Sequence, residues 1–312
     1  MCCDVARRVF GILGGMRIHI GPGSYPECEA ALVAAGAEIV DTLAAAEGFL
    51  FTQTPGGEFP ELHEGISWVQ FPMAGINAYI ERGIVTPGRR YSNAAGVYGE
   101  QVAEAALAMI LGLYHLHPLV GRAESWSVRP AVDASTRWLR GRRVFIVGYG
   151  GIGRALENYL APFHVELIRM RSQGIDGGYE SFEEALAAAD VVVLACPLTP
   201  ETVKLMGRKQ FAAMRSDALL INVARGEVVD TEALLWALDE GQIAGAGLDV
   251  TDPEPLPDGH PLWGRDNVII TPHTANTLAS MDRLLAPVVA RNYTQLIAGE
   301  RMDTEVDPER GY

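Results

Sequence analysis

An arginine, a glutamate and a histidine stand in three separate short motifs. Arg225 lies in NVARG (Asn222–Gly226), Glu254 in DPEPLP (Asp252–Pro257) and His273 in TPHTAN (Thr271–Asn276). A guanidinium is charged at every physiological pH and forks onto a carboxylate, so Arg225 suits the head group of a small organic acid and can polarise a carbonyl beside it. Histidine titrates near neutrality, so His273 can give a proton to an alkoxide and take it back. A carboxylate on the imidazole favours its charged form, each pKa unit being worth ~1.4 kcal/mol. Glu254 in that role would keep the proton donor charged at neutral pH. The three groups together suit a 2-oxo acid, with Arg225 and His273 touching it. The other histidines (His19, His63, His115, His117, His164, His260) have no comparable partners in the sequence. His115 and His117, two apart on a predicted helix, face different directions and make no metal pair. No metal is expected.

A fourth motif precedes these. Gly148-Tyr149-Gly150-Gly151-Ile152-Gly153 follows the apolar run Val144–Val147 and opens a helical pattern. In that context Gly148 permits a tight turn, Gly150 lets the backbone approach a dinucleotide pyrophosphate, and Gly153 lets helix pack on strand. The helix N-terminus turns its free N–H groups to the phosphates. At the end of the next strand, where an acid would hold the ribose 2′-OH of NAD, the chain has Arg169-Met170-Arg171-Ser172 with no carboxylate nearby. Arg171 and Ser172 can hold a 2′-phosphate. The expectation is NADP(H), with NAD(H) possible.

The elements that must position these groups alternate. Arg17–Ile20, Ile39–Val40, Gly48–Phe51 and Trp68–Phe71 read as strands, with a helix at Glu27–Ala35 and turns at Thr54–Gly57 and Thr86–Gly88. Tyr98–His117 carries apolar residues at helical spacing and Pro118 closes it. Its small residues permit close helix packing, and a buried core is the plain reading. From Arg143 on, strands (Arg143–Val147, Val165–Arg169, Val191–Ala195, Leu219–Val223, Ala244–Asp249, Val268–Thr271) alternate with helices (Ile152–Leu160, Phe182–Ala188, Lys209–Ala213, Thr231–Asp239). That rhythm is an α/β doubly wound parallel sheet, with Arg225 and His273 just past strand ends, where such sheets bind ligands. Leu278–Ala298 reads as a long helix kinked at Pro287.

At 312 residues the chain has room for two domains. A formal charge of -14 argues against nucleic acid or an anionic membrane as partner, and no apolar run is long enough to span a bilayer. Cys2, Cys3, Cys28 and Cys196 show neither metal-ligand nor disulfide spacing, so the cytoplasm is the expected compartment. Residues 1–15 are expected to be a start placed too early or a disordered extension, rather than an export signal built on Arg7-Arg8.

From about Trp68 to Gly299 the chain resembles the D-isomer-specific 2-hydroxyacid dehydrogenases. The resemblance rests on WVQFPMAGIN (Trp68–Asn77), QVAEAALAM (Gln101–Met109), LRGRRVFIVGYGGIGR (Leu139–Arg154), CPLTPET (Cys196–Thr202), LLINVARGEVVD (Leu219–Asp230), AGAGLDVTDPEPLP (Ala244–Pro257) and NVIITPHTAN (Asn267–Asn276). It implies two doubly wound parallel-sheet domains. A Rossmann nucleotide domain (94–279) would be inserted into a discontinuous flavodoxin-like substrate domain (16–93 plus 280–312), with the active site in the cleft. It implies Arg225, Glu254 and His273 as catalytic residues. Ala74 and Gly75 would offer backbone N–H groups to the substrate carboxylate. Pro197, Thr202, Val223, Ala224 and Asp249 would join Gly148–Gly153, Arg171, Ser172, Arg225 and His273 around the cofactor. It also implies a homodimer.

The Arg171-Ser172 pair, in place of the usual Asp, resembles NADPH-using glyoxylate/hydroxypyruvate reductases. Asn276 stands where a Gly is common. The long phosphoglycerate dehydrogenases' regulatory extension is lacking, so serine feedback is not expected. The leading expectation is reduction of glyoxylate, hydroxypyruvate or a similar 2-oxo acid to a D-2-hydroxy acid. The alternatives are an NAD-linked phosphoglycerate-type dehydrogenase and a corepressor-type scaffold that senses nucleotide.

Overall fold

A computed structural model describes residues 15–53 and 58–307. The expectations for the first residues and for the turn at 54–57 lie outside the described part, Gly15 excepted. The chain forms two compact units: the described residues through Tyr98 and again from Thr277, and Gly99–Asn276.

In the first unit, β1 (Arg17–Gly21), α1 (Pro26–Ala34), β2 (Glu38–Ile39), β3 (Gly48–Phe51), β4 (Trp68–Gln70), α2 (Asn77–Glu81) and β5 (Arg90–Ser92) build a parallel sheet of order β2-β1-β3-β4-β5. That is the flavodoxin-like order. β3 and β4 are buried along their whole length, as strands covered on both faces are. The tail helix α10 (Leu278–Ile297) completes this unit and runs through Pro287 without interruption. Asp282 on α10 accepts from the Glu27 and Cys28 backbone N–H groups at 2.9 and 2.8 Å, capping α1.

The second unit opens with α3 (Gly99–Tyr114), α4 (His117–Gly121) and α5 (Arg129–Ser135). It continues through β6 (Arg143–Val147), α6 (Gly151–Leu160), β7 (Glu166–Arg171), β8 (Gly174–Ile175), α7 (Phe182–Ala188) and β9 (Val191–Leu194). The last elements are α8 (Arg208–Ala213), β10 (Leu219–Asn222), α9 (Thr231–Asp239), β11 (Gly245–Leu248) and β12 (Val268–Ile270). Its sheet runs β12-β11-β10-β9-β6-β7-β8, parallel except for β8. Strand order reverses between β6 and β9, the switch point where open α/β sheets bind ligands.

Side chains alternate across this sheet with the two-residue period of a strand. Val144 and Ile146 of β6 enter one apolar cluster with Val191, Val193 and Ile221, against Ala106 and Ile110 of α3 and Leu156 of α6. Phe145 and Val147 enter another with Val192, Leu194 and Leu220, against Leu186, Phe211 and Leu234 on the facing helices. The predicted helix at Tyr98–His117 ends at Tyr114, because Leu116 turns left-handed (φ 55°), and Pro118 lies in the first turn of α4 rather than closing the longer helix. His115 and His117 therefore share no helix, and their rings lie 6.1 Å apart instead of facing away from each other. Among the described residues no cluster of His, Cys, Asp and Glu could hold a metal ion. No described helix is long and apolar enough to cross a membrane.

Candidate active site

The glycine loop joins β6 to α6 at the switch point, and each of its glycines answers a different constraint. Gly148 has φ +96°, and a Cβ there would lie 2.5 Å from Cys196 Cα, in the loop after β9. At Gly153 a Cβ would come 2.9 Å from the Gly148 carbonyl oxygen, so the first turn of α6 packs on its own loop only without one. Gly150 is the opposite case: nothing lies within 4 Å of a Cβ built there. That open side sits at the α6 N-terminus, where the first N–H groups of a helix have no internal partner and the dipole is positive. The loop therefore fits a pyrophosphate, with Tyr149, Gly151 and Ile152 completing the turn.

At the end of β7 the structure corrects the sequence reading. The chain folds back into β8, pairing Arg171 with Gly174, and this tight return places Asp176 against Arg169. Arg169 is held by Asp176 at 3.0 Å and by Glu157 of α6 at 2.5 Å, so carboxylates are near, and they occupy this arginine. Arg171 makes no ion pair among the described residues. Its guanidinium stacks over the Tyr149 ring, 4.5 Å from the centroid, in cation–π range. Glu157 also accepts a hydrogen bond from the Tyr149 hydroxyl. Arg171 and Ser172 are exposed.

Arg225 follows β10. Asn222, buried at the strand end, donates to the Arg225 carbonyl at 2.9 Å and accepts from Ala224 N at 3.1 Å. The Arg225 Nη1 donates to the Ala224 carbonyl at 2.7 Å. Val223 and Ala224 are themselves buried. At Gly226 a Cβ would lie 1.9 Å from the Thr251 carbonyl oxygen, so only glycine lets the loop carrying Glu254 come this close to Arg225. Thr231 Oγ1 donates to the Asp252 carbonyl at 2.6 Å and ties that loop down.

His273 follows β12 with a left-handed backbone, φ 53°. Its N–H donates to the Asp249 carbonyl at 2.8 Å. Asp249 Oδ1 accepts from Thr271 Oγ1 (2.6 Å), Thr274 N (2.9 Å) and Ala275 N (3.0 Å), anchoring the turn on both sides of His273. Glu254 Oε1 lies 2.7 Å from His273 Nδ1. That hydrogen bond holds the imidazole above its ordinary pKa, against the opposing pull of burial, and holds the Glu254 carboxyl below the usual carboxylate range. With Nδ1–H donating to the carboxylate, Nε2 remains for a substrate. Both side chains are near half-exposed, 49% and 42%, so a proton can reach them from water.

After β9, Thr202 Oγ1 donates to the Pro197 carbonyl at 2.7 Å and shapes the next loop at the same sheet edge. Ala74 and Gly75 belong to the other unit, in the turn after β4, Ala74 exposed and Gly75 partly so.

Residues 104–275 match the family described as D-isomer specific 2-hydroxyacid dehydrogenase, NAD binding domain. The chain belongs to that family. These enzymes are NAD(P)-dependent oxidoreductases, and this chain is one of them, acting on 2-oxo and 2-hydroxy acids with a nicotinamide cofactor. It is 43% identical over 305 residues, 95% of its length and 100% of the relative's, to an uncharacterized protein in the proB 3′ region of Corynebacterium melassecola. It is 35% identical to the glyoxylate reductase of Pyrococcus furiosus, over 70% of this chain and 69% of that one. Among solved structures it resembles a D-isomer specific 2-hydroxyacid dehydrogenase from Xanthobacter autotrophicus Py2, in complex with NADPH and MES. That likeness has a TM-score of 0.75 and 27% identity, covering 96% of this chain and 100% of that one.

Three residues that shape this dehydrogenase site escaped the sequence reading in these roles. Gly226 and Asn222 lie inside a motif singled out for its arginine. Asp249 was expected only beside the cofactor, yet its Oδ1 anchors the His273 turn; Oδ2 carries none of those bonds. Only the position of Asp249 at a strand end, opposite TPHTAN, pointed to such a role.

Proposed function

We propose that this dehydrogenase reduces small 2-oxo acids, glyoxylate and hydroxypyruvate first among them, to D-2-hydroxy acids, and prefers NADPH to NADH. The observation that carries the chemistry is the 2.7 Å bond between Glu254 and His273 at the sheet edge that also presents Arg225. Arg225 binds the substrate carboxylate and polarises the neighbouring carbonyl. Family resemblance supports Ala74 and Gly75 as donors of backbone N–H groups to a substrate carboxylate. The nicotinamide, when bound, supplies the hydride to C2. His273, charged through Glu254, gives the Nε2 proton to the carbonyl oxygen, and the neutral imidazole takes it back in oxidation. Glu254 stays ionised throughout.

The cofactor preference rests on Arg171. With no carboxylate partner and a ring beneath it, its guanidinium is free to pair with a 2′-phosphate beside Ser172. Gly148–Gly153 cradle the pyrophosphate. Pro197, Thr202, Val223, Ala224 and Asp249, whose Oδ2 has no hydrogen bond among the described residues, line the rest of the dinucleotide site. The solved relative with NADPH supports this reading of the cofactor, and the similarity to a glyoxylate reductase supports the substrate class. Trp126 and Trp138 are 85% and 67% exposed. Aromatic side chains are enriched at interfaces, and with the family resemblance they support a homodimer, which light scattering on the purified protein tests. Cys28 and Cys196 are free thiols, in keeping with a cytoplasmic site.

The decisive assay follows reduced-nicotinamide oxidation with a panel of 2-oxo acids, using NADPH and NADH in parallel. Turnover of glyoxylate or hydroxypyruvate with the higher kcat/KM for NADPH is expected. A higher value for NADH ends the cofactor assignment and favours a phosphoglycerate-type enzyme. No turnover with any 2-oxo acid ends the catalytic one and favours a nucleotide-sensing scaffold.

A further inference from the structure

The turn carrying Ala74 and Gly75 is bonded to the segment that follows β5. The Pro72, Met73 and Ala74 carbonyls each accept a hydrogen bond from the segment after β5. The donors are Tyr98 Oη at 2.5 Å, Ala94 N at 3.0 Å and Asn93 Nδ2 at 2.8 Å. A trans peptide is planar, with its C=O and the following N–H pointing in opposite directions. Fixing the Met73 carbonyl therefore fixes the Ala74 N–H, and fixing the Ala74 carbonyl fixes the Gly75 N–H. Both N–H groups are turned away from the 93–98 segment, and among the described residues neither donates to a protein acceptor.

Asn93 is itself fixed with unusual redundancy and is 3% exposed. Its Oδ1 accepts from Ala95 N at 3.0 Å. Its carbonyl accepts from Gln70 Nε2 at 2.9 Å and Thr304 Oγ1 at 2.7 Å, and its N–H donates to the Thr304 carbonyl at 3.0 Å. Behind it, Gln70 Oε1 accepts from Ser92 Oγ at 2.6 Å and from Asn292 Nδ2 of α10 at 2.8 Å. Gln70, Ser92 and Asn292 are fully buried. An apolar core of the same volume needs no such network. Buried polar groups cost free energy unless bonded, and a bonded network selects one arrangement; in this one Asn292 Oδ1 alone lacks a partner among the described residues. The arrangement selected here ends at the Ala74 peptide.

We propose that Asn93 is a positioning residue for the substrate carboxylate. Its side-chain amide, locked by the buried network, orients the Gly75 N–H as an anion donor. This rests on the reading above that Ala74 and Gly75 meet the carboxylate. Asn93 acts through the peptide and touches no substrate.

The test compares wild type, Asn93→Asp, Asn93→Ser and Tyr98→Phe in the full-length protein. KM for the best 2-oxo acid, KM for NADPH and kcat are measured for each. Asn93→Asp keeps the acceptor for Ala95 and replaces the donor to Ala74 with a carboxylate oxygen that repels that carbonyl. Asn93→Ser removes that donor without adding charge, should the carboxylate prevent folding. Both should raise KM for the oxo acid about tenfold, the order lost with one hydrogen bond to a charged group. KM for NADPH should stay within about twofold. Tyr98→Phe, which frees a carbonyl two peptides further away, should raise the oxo-acid KM less than either.

A merely structural role would lower kcat with the fraction of folded enzyme and leave KM alone. That result in a variant folded by circular dichroism, or equal KM changes for Asn93→Ser and Tyr98→Phe, overturns the proposal. Wild type without oxo-acid turnover overturns the underlying reading along with it. Wild-type turnover with an unmoved KM in both Asn93 variants overturns the role of Asn93 alone.

Discussion

The dinucleotide loop and the acid–base cluster stand at strand ends of one sheet, yet the chain builds them by opposite means. The loop is six consecutive residues, Gly148–Gly153, and works through side chains that are missing. The cluster gathers Arg225, Glu254 and His273 from three loops and works through side chains that are present. What lets it form is again an absence, at Gly226, plus one buried carboxylate, Asp249. A site made of backbone can be written locally. A site made of side chains needs residues elsewhere to bring its loops together.

The sharpest break of that contrast is His273→Ala. Loss of a general acid lowers kcat by about 10²–10⁴-fold, while dinucleotide affinity, measured by fluorescence quenching, should not change. A variant with wild-type turnover would remove His273 from the chemistry.

Next come two glycine substitutions that should cross over. Gly148→Ala drives a Cβ against backbone 2.5 Å away at a positive φ, and should abolish or severely weaken dinucleotide binding. Gly226→Ala meets the Thr251 carbonyl, and should displace Glu254 and cut kcat about a hundredfold, with cofactor affinity kept. If Gly226→Ala instead weakens the cofactor and spares kcat, the two regions are not built as described.

A smaller effect is expected from Arg171→Ala. A hydrogen bond to a charged group is worth about 1.5–3 kcal/mol, so KM for NADPH should rise at least about tenfold while KM for NADH stays put. Equal changes for both cofactors would assign Arg171 to the fold.

The finest adjustment is Glu254→Gln, read on the pH axis. Reduction needs the imidazolium, so its rate falls as pH rises through the His273 pKa, which Glu254 raises. Oxidation needs the neutral ring and gains over the same interval. Without the charge the His273 pKa drops towards its ordinary value, so the descending limb of reduction should move to lower pH. A limb that stays in place would mean Glu254 only orients the ring.

Much of this was legible beforehand because the patterns are local. Alternating buried strands and the glycine loop gave the doubly wound nucleotide sheet, and the flavodoxin-like unit followed from resemblance. Short elements were missed where two or three residues pair only because tertiary contacts hold them, as in β5 and β8. The missed β8 had a consequence: without that return, Asp176 looks remote from Arg169, and the two arginines look equivalent. His115 and His117 were misjudged for a related reason, since a single left-handed residue, Leu116, ends the helix earlier than its apolar spacing does. Asn93, Asn222 and Gly226 carry no chemistry of their own, and nothing in their residue types announces what they hold.

The left-handed backbone at His273 has a thermal consequence. A side-chain-bearing residue in that conformation sits roughly 1–2 kcal/mol above its right-handed alternative, and the Asp249 bonds offset the difference only while they last. Warming should loosen this turn and swing the imidazole out of register while the strands beneath remain paired. The enzyme should thus fall silent several degrees before its circular dichroism changes.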